Sequence, residues 1–166
     1  MTRPRNLLLL ILPALAVVAA VASLLAPGLP AGEADDEKAV RQAVLDYVEG
    51  IYEVDPSRIE RSVHKDLRKL GFRYSEEDGA YQGPLPMTYQ ELHDLAGRWN
   101  KERRAEAATA VKTIELHEVL DETASAKLTA DWGIDYMHLA KFDGRWMIVN
   151  VLWQSAPRGD QARKTY

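Results

Sequence analysis

Residues 135–154 read DYMHLAKFDGRWMIVNVLWQ. Asp143-Gly144 is the dipeptide that a two-residue hairpin turn favours, because both central positions take positive φ. The β-branched and aromatic residues on either side predict a strand before the turn and another after it. With a two-residue turn Phe142 faces Arg145, and the pairing carries outward to place Ala140 opposite Met147, His138 opposite Val149 and Tyr136 opposite Val151. Opposed residues share a face of the sheet. Tyr136, His138, Ala140, Met147, Val149, Val151 and Trp153 are therefore expected on one surface, and Met137, Leu139, Lys141, Trp146, Ile148 and Asn150 on the other. A three-residue loop with a bulge in place of the two-residue turn would scramble this assignment. Both surfaces are largely apolar, so one is expected to close a core and the other to meet a second copy of the chain.

The chain has 166 residues, a length that fits one domain with an extra segment. That segment is N-terminal. A basic head containing Arg3 and Arg5 precedes an apolar run from Leu7 to Ala26, which only Pro13 and Ser23 interrupt. This is the pattern of an export signal. Ala20-Val21-Ala22 offers a cleavage site, and Gly32-Glu33-Ala34 a second one. About twenty apolar residues also suffice to span a bilayer, so a retained anchor is the alternative. Either reading places the folded part outside the cytoplasm, secreted, periplasmic or tethered to the membrane by residues 7–26. Residues 1–26 are read as signal peptide or anchor, 27–35 as linker, 36–156 as the folded domain and 157–166 as a polar tail.

The absence of cysteine removes disulfides, thiol catalysis and cysteine–zinc sites. Without Arg3 and Arg5, the 21 basic residues fall to 19 against 25 acidic ones. No basic stripe runs through the chain, so nucleic acid is not an expected partner. The four histidines lack metal-ligand spacing, and neither a metal nor a cofactor is expected.

Apolar residues at Val40, Ala43, Val44, Tyr47, Val48 and Ile51 recur at helical spacing and predict a helix over residues 36–53. Asp55-Pro56 starts a second, shorter helix with an N-cap aspartate and a proline in the first turn. A strand is expected over 67–74, and Gly83-Pro-Leu-Pro86 breaks the chain's regular structure beyond it. Thr88-Tyr-Gln-Glu91 has capping-box spacing and opens a third helix. Residues 111–120 and 123–132 alternate as two strands, and the hairpin completes the chain. This order predicts an α+β domain in which a curved antiparallel sheet wraps around three helices.

Two stretches, AVRQAVLDYVEGIYEVDPSRIERSVHKDL (39–67) and YMHLAKFDGRWMIVNVLWQ (136–154), resemble the nuclear transport factor 2-like superfamily, and within it the lumazine-binding family. The resemblance implies a cone-shaped fold around a pocket, and dimers formed by pairing sheets back to back. It is less specific for activity, because one fold hosts many functions. Compared with the ketosteroid isomerases of the superfamily, Tyr47 and Asp55 stand in the places of a helix tyrosine and a following aspartate. His138 and Phe142 match the places of a proton-donating acid and a phenylalanine. The region of the catalytic base reads Leu67-Arg-Lys-Leu-Gly-Phe-Arg73, without a carboxylate.

The candidate ligand-binding residues are therefore Tyr47, Tyr136, His138 and Trp153, around an apolar pocket for a small organic molecule, such as an aromatic heterocycle. His138 has three readings: packing, ligand contact or catalysis. Lyase or isomerase chemistry through His138 and Tyr47 is one alternative function, and a structural dimer module another. Asp131 and Asp135 are read as solubilisers at strand edges, His64 as closing a turn, and His93 and His117 as exposed.

Overall fold

The computed structural model describes residues 31–102 and 105–156; the signal or anchor segment, residues 27–30 of the linker and the polar tail lie outside them. The described residues form helices α1 (Ala31–Tyr52), α2 (Pro56–Ser62) and α3 (Tyr89–Ala96). Their strands are β1 (Val63–Ser75), β2 (Ala80–Met87), β3 (Lys112–Val119), β4 (Thr123–Ala130), β5 (Gly133–Phe142) and β6 (Arg145–Ser155). Helix α1 starts at Ala31, five residues before the expected start at Asp36.

Each helix forms where its sequence directs. The α1 stripe of Val40, Val44, Tyr47, Val48 and Ile51 is buried against the sheet. Burying each such side chain contributes roughly 1.5–3 kcal/mol. Asp55 caps α2 by accepting from the Ser57 amide at 3.0 Å. Thr88 and Glu91 exchange both bonds of the capping box at the start of α3.

The six strands order β2-β1-β6-β5-β4-β3 in a single sheet. It is mixed, not wholly antiparallel as expected: β1 and β6 run parallel, and every other neighbouring pair is antiparallel. The chain reaches β6 from β1 only after traversing α3 and the other strands, and that long crossover permits the parallel pair. Strand β2 runs through the Gly83-Pro84 break with a cis peptide bond, as an edge strand.

The β5–β6 hairpin turns at Asp143 (φ 49°) and Gly144 (φ 76°) as expected. Its pairing follows the two-residue register from Phe142–Arg145 to Leu139–Ile148, and then slips. Val149 is an extra residue on β6, so His138 faces Asn150, Met137 faces Val151 and Asp135 faces Trp153. A bulge of this kind reverses the parity of the strand that carries it. The inner face accordingly takes Trp146, Ile148, Val151 and Trp153 from β6 with Asp135, Met137 and Leu139 from β5. Tyr136, His138 and Leu152 turn outward and are exposed. The expected grouping of Tyr136 and His138 with Val151 and Trp153 is thus corrected.

Candidate functional site

Between the inner face of the sheet and the helices lies a cavity of about 440 Å³. Tyr47 and Ile51 of α1 form one wall, and Leu95 of α3 with Trp99 just beyond it another. Leu85, Pro86 and Met87 of β2 close the edge-strand side, and Lys69 and Arg73 of β1 contribute the cationic groups. Trp132, in the β4–β5 turn, and Trp153, near the end of β6, complete the lining. Trp132 is fixed by aromatic neighbours, with its ring centroid 6.5 Å from Tyr47, 5.2 Å from Tyr52 and 5.5 Å from Trp99. Tyr52 braces this corner by donating to the Val111 carbonyl and accepting from the Asp131 amide, both at 2.8 Å. Burial pushes its phenol up to about 12.

One polar cluster is set into this apolar wall. Lys69 Nζ donates to Tyr47 Oη at 2.5 Å and lies 3.4 Å from Asp135 Oδ1. The other Asp135 oxygen accepts from Trp132 Nε1 at 3.0 Å. Asp135 is fully buried, and the Lys69 side chain is 5% exposed. Desolvation penalises the charged form of a buried amine or phenol. Burial, reinforced by the Asp135 charge, drives the Tyr47 phenol well above its ordinary value of 10.0, so it remains a proton donor. Burial also holds the Lys69 amine below its ordinary 10.5, with Asp135 opposing.

Trp153 lies above this cluster. Lys69 Nζ is 5.6 Å from its ring centroid and 5.3 Å from that of Tyr47, within cation–π range. Its Nε1 is buried without a hydrogen-bond partner, a state that a buried donor adopts at a cost. The indole lies against Gly71, its neighbour across the parallel pair.

Of the four residues singled out in the sequence, Tyr47 and Trp153 line the cavity, whereas Tyr136 and His138 lie on the opposite face of the sheet. Tyr47 and His138 therefore do not share a site, and a reaction using both is not supported by this geometry. Asp135 is corrected from strand-edge solubiliser to buried partner of Lys69, while Asp131 is exposed and receives the Val111 amide at 3.2 Å. Asp55 is the α2 cap. His64 stacks on Phe142 with centroids 4.3 Å apart, and His93 contacts Glu60 at 3.0 Å. Among the lining residues that sequence reading passed over, Lys69 carries the polar cluster. A signal was present: Leu67, Lys69 and Gly71 alternate on one face of β1, and the first of them is plainly a core residue.

Residues 35–154 match the family described as "Putative lumazine-binding", and the chain belongs to that family. Its fold is that of the nuclear transport factor 2-like proteins. It is similar to such a protein of unknown function from Shewanella baltica OS155, at 17% identity and a TM-score of 0.57, covering 75% of this chain and 97% of that one. A second, from Methylobacillus flagellatus KT, is 22% identical with a TM-score of 0.52 and coverages of 74% and 94%. A third, from Novosphingobium aromaticivorans with a cystatin-like fold, is 13% identical with a TM-score of 0.54 and coverages of 79% and 88%. No curated protein matches the sequence.

Proposed function

We propose that this domain binds a small, flat organic molecule in the cavity between α1, α3 and the inner face of the sheet. The observation that carries the reading is the combination of about 440 Å³ of space with an apolar, tryptophan-rich wall and a single polar cluster. Small-molecule sites have this make-up: a mostly hydrophobic concavity with a few placed polar groups that set orientation. Trp153 supplies a stacking surface, and Tyr47 and Lys69 supply polar contacts. Donors outnumber acceptors, since Asp135 is already engaged by Lys69 and Trp132. A ligand rich in hydrogen-bond acceptors fits best, and a pteridine such as the lumazine of the family description has that character. Titrating the full-length chain with lumazine while following tryptophan fluorescence tests this. Saturable quenching that weakens in Trp153→Leu is expected; linear, unsaturable quenching in both proteins rejects it.

The same reading includes export through residues 1–26 and pairing of two copies through the outer face. Supporting the pairing, Leu70, Leu152 and Tyr136 are register neighbours on β1, β6 and β5 and are 38%, 45% and 49% exposed. Adjacent exposed apolar groups of this size mark contact surfaces.

A further inference from the structure

Lys69 is a buried amine whose one carboxylate partner among the described residues stands at long range. Its shortest polar contact, at 2.5 Å, is to a phenol, while Asp135 stands 3.4 Å away with its second oxygen held by Trp132. Charge-assisted N–H···O bonds are shorter, about 2.7–2.9 Å. The amine projects into the cavity wall beside Trp153 and Tyr47. Arg73 is a second cation in the lining, and Asp135 is the one carboxylate touching the amine among the described residues. Lysines desolvated in this way serve as nucleophiles toward carbonyl compounds.

We propose that Lys69 condenses with an aldehyde or ketone that enters the cavity, forming an imine. The inference rests on the cavity being a ligand site and adds the reactive class of the ligand. Asp135 takes one proton from the Lys69 ammonium, leaving the lone pair on Nζ free. That pair attacks the carbonyl carbon and forms the C–N bond, while the C=O π electrons move to oxygen. Tyr47 Oη donates a proton to that oxygen and recovers one from the nitrogen. A second proton, returned by Asp135, lets the oxygen leave as water when the C–O bond breaks and the C=N bond forms. Carbonyl compound and Lys69 ammonium give the protonated imine and water, Asp135 ending as the carboxylate it began, with no oxidant or reductant. The Tyr47 phenol is held protonated by its burial, as the donor role requires, and apolar walls slow the return of water.

The test treats the full-length chain at pH 7 with benzaldehyde, hexanal or acetone plus sodium cyanoborohydride, and maps modified lysines by peptide mass spectrometry. An ordinary lysine has roughly one free amine in 2,500 at this pH, so Lys69 is expected to label at least about tenfold faster than the exposed Lys38 and Lys65. Tyr47→Phe is expected to slow Lys69 labelling by about a hundredfold while surface labelling holds. Quenching of tryptophan fluorescence by benzyl alcohol, which cannot form an imine, reports occupancy separately. Occupancy without preferential Lys69 labelling by any of the three probes overturns the imine and leaves the binding site intact. Neither occupancy nor preferential labelling overturns both.

Discussion

Gly71 and Trp153 face one another across the parallel β1–β6 pair, and a Cβ added to Gly71 would overlap the Trp153 indole at Nε1. The indole can form the end wall of the cavity only because its neighbour has no side chain. Gly71→Ala is expected to push the indole off the strand, at a cost of about 1–3 kcal/mol typical of overpacking. Urea denaturation gives the cost, and near-ultraviolet circular dichroism reports the altered tryptophan. An unchanged spectrum and midpoint would mean the two residues are not in contact.

The Lys69–Asp135 pair makes a second expectation. Removing one partner of a buried ion pair leaves an uncompensated charge, at about 3–5 kcal/mol, whereas removing both is much milder. Asp135→Ala should therefore be severe, and Asp135→Ala combined with Lys69→Met should be more stable than Asp135→Ala alone. A double-mutant cycle on denaturant midpoints measures the coupling. Simple additivity of the two single changes would show that the pair does not interact.

The contrast between these residues and His138 shows what was legible in the sequence. Helix stripes, the Asp55 and Thr88 caps and the Asp143-Gly144 turn are local signals, and the fold class follows from their order. The face each hairpin residue takes is not local. One extra residue, Val149, inverts β6 beyond it and separates Trp153 from Tyr136 and His138. Nothing in IVNV marks which residue bulges, because every one of the four can occupy a strand. Lys69 failed for a different reason: a lysine in a strand is ordinarily taken as solvated, and only its alternation with Leu67 and Gly71 argued otherwise. Its partner Asp135 lies 66 residues away, brought near by sheet order alone.

A pH-dependent stability contribution is expected from Asp46 at the junction of α1 and α2. Arg61 grips it through Nε at 2.9 Å and Nη2 at 2.7 Å, and Arg58 adds a contact at 2.9 Å. Burial opposes ionisation here, but the bonds and charge of Arg61, with Gln42 and Arg58, outweigh it and hold the carboxyl below 3.8. A group whose folded value is depressed stabilises the fold above its unfolded value and loses that contribution as pH falls through the folded one. Asp46→Asn should lower stability at pH 7 by about 1.5–3 kcal/mol, as for a hydrogen-bonded charge. The gap from the unsubstituted chain should close as pH falls below about 4, the unfolded aspartate value. Urea midpoints for both proteins across that range decide it, since the other carboxylates cancel in the difference. A gap that stays constant with pH would place the effect in packing instead.

The outer face carries the last expectation. Leu152 sits between Leu70 and Tyr136 in register, and all three are exposed in an isolated copy. If two copies pair there, each buries an apolar row that otherwise faces water, and an introduced charge would have to be desolvated in the interface. Sedimentation equilibrium should then give about twice the 18.6 kDa chain mass for the unsubstituted full-length protein, and a single chain mass for Leu152→Glu. The substitution lies away from the cavity, so lumazine titration should be little changed in the monomer. A dimer that persists in Leu152→Glu would move the interface elsewhere. A monomer in both proteins would leave the apolar row to contact a different partner.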